Sequence, residues 1–199
     1  MAQTLDNQAL DTIFREAHTH VAWLPRAVDD DVLRQVYELA KFGPTSANTT
    51  PMRVVFVKSK EAKERLKPAL MAGNVDKTMA APVCAIIAND SRFHEHIPFL
   101  YPQNPAFADL FTAPGKEEFT RAHLLRNGSL QGAYLIIAAR ALGLDAGPMS
   151  GFDNAKVDAE FFPDGRYKSN FLVNLGYGDP ARLHPRNPRL TFEQTCAIV

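Results

Sequence analysis

The chain has 199 residues, enough for one domain with a sizeable core, and 46% of them are hydrophobic, an ordinary globular share. Its 22 basic and 22 acidic side chains cancel to a formal net charge of zero, which argues against a nucleic-acid or polyanion binder. Two cysteines make no disulfide framework, no basic-then-apolar leader opens the chain, and no apolar run approaches the ~20 residues of a membrane span, so a cytoplasmic protein with no membrane partner is expected.

Leu10, Ile13, Phe14 and Ala17 recur at helical spacing behind Asp6, a suitable N-cap, and predict a first helix that ends near His18. A linker through Trp23 and Pro25 follows. Asp29, Asp30 and Asp31 load the start of a second helix with negative charge, which suits its positive end. Val32, Leu33, Val36, Tyr37 and Ala40 form its buried stripe, and Gly43 is expected to stop it in the left-handed conformation. The stretch Gly43, Pro44, Thr45, Ser46, Ala47, Asn48, Thr49, Thr50, Pro51 then denies itself regular structure. Its hydroxyls, amide and exposed backbone N–H groups suit a flat ligand rich in acceptors, or equally a capped turn.

Val54 to Val57 is a continuous, mostly β-branched run and predicts a central strand covered on both faces. Ser59 caps a short helix carrying Ala62, Leu66 and Leu70, which Gly73 ends; Asn74 to Met79 adds a polar helical turn. Val83 to Ala88 predicts a second buried strand, with Cys84 a buried thiol rather than a redox nucleophile. Residues 90–118 are broken by Pro98, Pro102, Pro105 and Pro114 and scattered with aromatics. A loop of that length reads as a lid that shapes a substrate pocket, or as a passive flap at an oligomer interface.

Glu117 to Leu142 predicts the longest helix, closed by Gly143. Gly128, Ser129, Gly132 and Ala133 form a small-residue seam, and interior glycines cost about 0.5–1 kcal/mol each. Close approach by a partner helix would offset that, leaving Leu130, Tyr134, Ile137 and Ala141 to face the domain's own core. Asp145 to Asp153 reads as a loop, Asp153 as the cap of a helix to Phe161, and Phe171 to Leu175 as a third strand. Residues 179–199 have three prolines, three arginines and no amphipathic period, and are expected to lie extended along a partner subunit. His18 with His20, and His94 with His96, have metal-like spacing, but nothing completes the four ligands zinc usually takes, and no metal site is expected.

Four segments in order carry a resemblance. Pro44, Thr45, Ser46, Ala47, Asn48, Thr49, Thr50, Pro51 is similar to a Pro-Ser-Ser-x-Asn-x-x-Pro signature; Asn74 and Lys77 match an Asn-x-x-Lys pair; Gly147 to Asp153 reads GPMSGFD; Asn174 to Gly178 reads NLGYG. Together they resemble the nitroreductase family of FMN-dependent oxidoreductases over nearly the whole chain, and their wording looks most like its malonic semialdehyde reductases. The resemblance implies an α+β fold with a mainly antiparallel central sheet flanked by helices. It also implies a homodimer that exchanges C-terminal arms and builds two FMN sites from both chains. By position, Pro44, Thr45, Ser46 and Asn48 would line the isoalloxazine and ribityl, and Asn74 and Lys77 the pyrimidine edge. Pro148, Met149, Ser150 and Gly151 would pass the reactive N5, and Arg186 and Arg189 would hold the phosphate. Where the family has Arg-Arg-Ser, this chain reads Ala17, His18, Thr19, His20, so Thr19 with His18 and His20 would stand at the phosphate and ribityl. The implied activity is hydride transfer from NADH or NADPH through FMN to a semialdehyde, nitro or quinone acceptor; a flavin-storage protein of the same fold is the alternative.

Overall fold

The computed structural model describes residues 3–199. Asp6 caps the first helix, α1 (Asn7–Leu10), by accepting from Ala9 N at 2.7 Å, and a wider turn, Asp11–Arg15, extends it. The helix therefore ends short of His18, and Phe14 is exposed rather than packed. α2 (Asp30–Ala40) buries Leu33, Val36 and Ala40 as expected, but Tyr37 stays exposed. Gly43 is not left-handed. It is needed because the Tyr134 ring packs on it, 2.6 Å from where a Cβ would stand.

Four strands form one antiparallel sheet in the order β1-β2-β4-β3: β1 (Met52–Val57), β2 (Val83–Asp90), β3 (Asp145–Met149) and β4 (Tyr167–Gly176). β2 is buried along its whole length, and β4 is buried over its second half. β1 corrects the sequence expectation, since it is an edge strand and Arg53 to Phe56 are only half-buried. β3 is a second correction, since Gly147 and Pro148 read as loop residues. An edge strand tolerates a proline that cannot donate. Gly147 is required there because a Cβ would stand 2.6 Å from the His20 carbonyl oxygen.

Between β1 and β2 lie α3 (Lys60–Leu66), capped by Ser59, and α4 (Ala72–Ala80). Pro68 turns α3 into a tighter final turn, so Leu70 is extended, and Gly73 sits inside α4 instead of ending α3. Residues 91–116 are not a bare loop. They fold as short helical turns, including α5 (Ile97–Leu100), around a small core of Phe93, Ile97 and Phe111.

α6 (Glu117–Ala141) crosses the sheet, and Gly143 at φ +76° ends it. Its glycine seam faces the opposite way to the expectation. A Cβ at Gly128 would collide with the Asn89 side chain, and one at Gly132 with Phe171, so the glycines let α6 approach its own sheet. Leu130 and Tyr134 are on the exposed side at 45% and 39%. α7 (Asn154–Phe161) is capped by Asp153. The tail adds one helical turn, α8 (Phe192–Thr195), which the absence of a period did not foretell; it begins after the last proline and is opened by a Thr191–Gln194 capping box. Two apolar clusters fill the two faces of the sheet, one under α2 and α6 and the other under α3 and α7. No helix among the described residues is long and apolar enough to cross a membrane.

Candidate functional site

Three groups of residues stand out, and the sheet decides which of them meet. The first joins α4 to the turn after β3. The Gly151 carbonyl accepts from Asn74 Nδ2 at 2.7 Å and from Met71 N at 3.1 Å, and Asp153 N donates to the Ala69 carbonyl at 2.8 Å. Asn74 thus fixes the backbone of the Pro148–Gly151 turn. Lys77 follows one helical turn later and makes no ion pair with a described residue; its carbonyl accepts from Trp23 Nε1 at 3.0 Å. Ser150 is exposed and Pro148 half-buried. Met149 packs its side chain in the core, with Thr78 Oγ1 3.5 Å from its sulfur, so it offers a ligand only its backbone.

The second group lies at the other end of β3. The segment after α1 runs beside that strand through a Thr19–Ala146 bridge. It meets the last turn of α6 and the tail around a cleft of about 620 Å³ lined by Arg15, His18, Thr19, Arg140, Arg186 and Arg189. Arg186 donates to the Ala17 carbonyl at 2.9 Å, while Arg189 bonds only locally, to the Asn187 and Pro188 carbonyls. Arg140 donates to the Ile13 carbonyl at 3.3 Å, yet its Nε is buried without a partner. Burial lowers the Arg140 pKa, the Asp145 charge opposes this, and Arg186 adds repulsion. An anion in the cleft would satisfy the orphaned N–H and relieve that repulsion.

His20 departs from its expected role. It is 7% exposed, with Nε2 3.2 Å from Asp145 Oδ1 and its ring filling the space where a Cβ at Gly178 would go. Burial pushes its pKa down against the pull of Asp145. His20 is therefore a core residue that ties β3 to the turn after β4, and it does not line the cleft.

The third group is the loop between α2 and β1. Ser46 N donates to Asn127 Oδ1 at 2.8 Å, and Asn48 Nδ2 donates to the Leu100 carbonyl at 2.9 Å. Thr45 Oγ1 is already engaged by Thr50 N at 3.2 Å. Pro44 and Ser46 present exposed side chains. This loop enters β1, whereas the other two groups flank β3, so they occupy opposite edges of the sheet. Strand spacings of about 4.8 Å put those edges roughly 14 Å apart.

Arg140 has no signature in the sequence: a lone arginine in a last helical turn looks like any solvated one. His123, Asn127 and Gln131 do carry a sign in the sequence, polar residues at spacings of four along one helix face, and all three are buried. Cys84 is fully buried, and burial pushes its thiol up to about 12, which makes it inert. Among the described residues no three His, Cys, Asp or Glu side chains gather as a metal site.

Residues 15–177 match the model of the nitroreductase family. A Stenotrophomonas maltophilia protein provisionally named NADH dehydrogenase/NAD(P)H nitroreductase is 60% identical over 198 residues, covering 100% of both chains. A nitroreductase structure from Bacillus subtilis superposes with a TM-score of 0.86 at 20% identity, over 96% of this chain and 99% of that one. Another, from Exiguobacterium sibiricum and described as in complex with FMN, gives 0.85 at 18% identity, over 100% of both. The family match over most of the chain and the full-length relative at this identity carry one conclusion: the chain belongs to the nitroreductase family.

Proposed function

We propose that this protein is an FMN-dependent NAD(P)H oxidoreductase that works as a homodimer, with each flavin held between two chains. The carrying observation is the division of the candidate site between opposite sheet edges. One chain cannot close Ser46 and Asn48 onto the Asn74–Gly151 cluster, whereas a second copy can present its own 43–51 loop there. The open edge of β1 supports the same assembly: it borders grooves of about 630 and 480 Å³, lined by Phe56 and Lys58 in one and Met52 and Phe99 in the other. An extended arm from a partner would pair with that edge.

The residues fit the flavin at both ends. The arginine cleft offers charge-assisted donors to a phosphate, including the orphaned Arg140 Nε. Lys77 would place a cation where the pyrimidine takes up negative charge, and Asn74 bonds the backbone of the neighbouring turn. Bound FMN supplies hydride acceptance from NADH or NADPH and hydride delivery to an acceptor. As acceptor we favour a small semialdehyde, malonic semialdehyde going to 3-hydroxypropionate, on the wording of the GPTSAN, GPMSGFD and KSNFLVNLGYGDP segments. Nitro compounds and quinones are further candidates, and residues 90–118 are the segment that would choose among them.

The test is spectroscopic. The purified protein should show flavin bands in the visible blue, and NADH or NADPH should bleach them at a rate matching turnover with an added acceptor. A colourless protein that takes up no FMN would end the proposal; a yellow protein bleached only slowly would mark a storage role. Lys77→Met should keep FMN but lower its reduction potential by roughly 30 mV or more, the two-electron equivalent of about 1.4 kcal/mol. An unchanged potential in the loaded variant would remove Lys77 from the tuning role.

A further inference from the structure

The 45–50 turn holds three non-glycine residues in the left-handed region: Ala47 at φ +48°, Asn48 at +52° and Thr50 at +36°. For a β-branched residue such as Thr50 this is a true outlier, and such backbone persists only where its surroundings over-determine it. The surroundings here are one face of α6. His123, Asn127 and Gln131 stand four residues apart, so they lie above one another, and they are 4%, 1% and 4% exposed. Each grips a different point of the turn. His123 Nε2 is 3.0 Å from Thr49 Oγ1, Asn127 Oδ1 accepts from Ser46 N at 2.8 Å, and Gln131 Oε1 accepts from Met52 N at 2.9 Å. Asn127 Nδ2 in turn donates to the His123 carbonyl at 2.8 Å. The His123 ring also stacks on Phe93, with centroids 5.2 Å apart and 15° between planes, and lies 4.6 Å from the Phe111 ring. Both phenylalanines belong to the core of residues 91–116.

We propose that His123, Asn127 and Gln131 form a positioning ladder that holds the 45–52 backbone in its ligand-binding shape, with His123 as the joint that ties this turn to the aromatic core of the 91–116 segment. The contacts of all three are to protein, at Ser46, Thr49, Met52 and the aromatic core. The three act through Ser46, Thr49 and Met52, so the flavin-binding half of the inference rests on the function proposed above.

The test is a double-mutant cycle on the full-length protein. His123→Phe keeps the aromatic stack and removes the contact to Thr49; Thr49→Val keeps the shape and removes the hydroxyl. Asn127→Ala removes the acceptor for Ser46 N. Three quantities are read: amide hydrogen exchange of residues 45–52 in the apoprotein, FMN affinity by flavin fluorescence, and the thermal midpoint. Each single variant should speed exchange in the turn and weaken FMN binding about tenfold, the worth of one buried hydrogen bond. The His123→Phe/Thr49→Val double variant should be no weaker than the worse single one, because both remove one shared contact. Faster exchange with wild-type FMN affinity, or losses that simply add in the double variant, would overturn the ladder. If the wild-type protein itself takes up no FMN, the flavin reading fails and the positioning role falls with it. That case is told apart from failure of the ladder alone, where the wild type binds and the variants bind as well.

Discussion

A chain ended at Asp179 should sediment as monomer or aggregate and purify without colour. In the single chain Leu190, Phe192 and Ile198 are 71%, 55% and 90% exposed. Each would gain about 1.5–3 kcal/mol on full burial, and the half-buried edge of β1 with its grooves is the surface suited to take them. The same tail supplies Arg186 and Arg189 to the arginine cleft, so under the proposed assembly truncation would remove the dimer arm and part of the phosphate charge together. Arg189→Ala separates the two effects: it should stay dimeric, bind FMN more weakly, and show less salt dependence in what affinity remains. Sedimentation and the visible spectrum check both. A truncated chain that remains a yellow, active dimer would show that the arm is dispensable.

Asp90→Asn should be the most damaging conservative change in the fold, on the order of 3–5 kcal/mol. The Asp90 carboxylate is wholly buried at the end of β2. It accepts two bonds from Arg166 at 2.8 Å, one from Arg53 at 2.8 Å and one from Arg92 N at 2.9 Å. Arg166 also reaches Glu95 at 3.3 Å, so the network pins the start of the 91–116 segment to the sheet. Burial pushes the Asp90 pKa up, but the bonds from Arg166 and Arg92 N–H and the two guanidinium charges outweigh it, and the net shift is downward. A carboxyl lowered in the folded state gives stability that is complete above its unfolded pKa of about 3.9 and is lost as pH falls through the lower folded value. The wild-type thermal midpoint should therefore fall steeply below about pH 4, and the variant, less stable at neutral pH, should lose less across that window. Parallel curves would mean that other carboxyls carry the acid sensitivity. Limited proteolysis should cut the variant faster between residues 91 and 100.

Local chemistry was the legible part. Asp6, Ser59 and Asp153 each accept the N–H three residues on that an N-cap should accept, and α6 begins and ends within a residue of its expected bounds. Choices made by neighbours were not legible. The seam of Gly128 and Gly132 announced a close approach but not by what, and the sheet, not a second helix, fills it. The apolar run of β1 announced burial on both faces, yet in one chain its outer side is open. β3 was hidden because its glycine and proline suit an edge strand as well as a loop. At the site, hydroxyl density marked the 43–51 loop, but Arg140 enters its cleft only because the end of α6 meets the segment after α1.

The strand order has a consequence for synthesis on the ribosome. β2 pairs on one side with β1, a near neighbour in the chain, and on the other with β4, so that Val83 waits for Leu175. Apart from the single Thr19–Ala146 bridge, β3 has no strand to pair with until β4 arrives to sit between it and β2. The nascent chain must therefore carry Val83 to Ala88, all of them buried at the end, with one edge unpaired while α6 is being made. Closing so long a loop is slow, and an open apolar strand edge is a template for association with other chains. Crowded overexpression should punish this protein through aggregation of incomplete chains more than through instability of the finished fold.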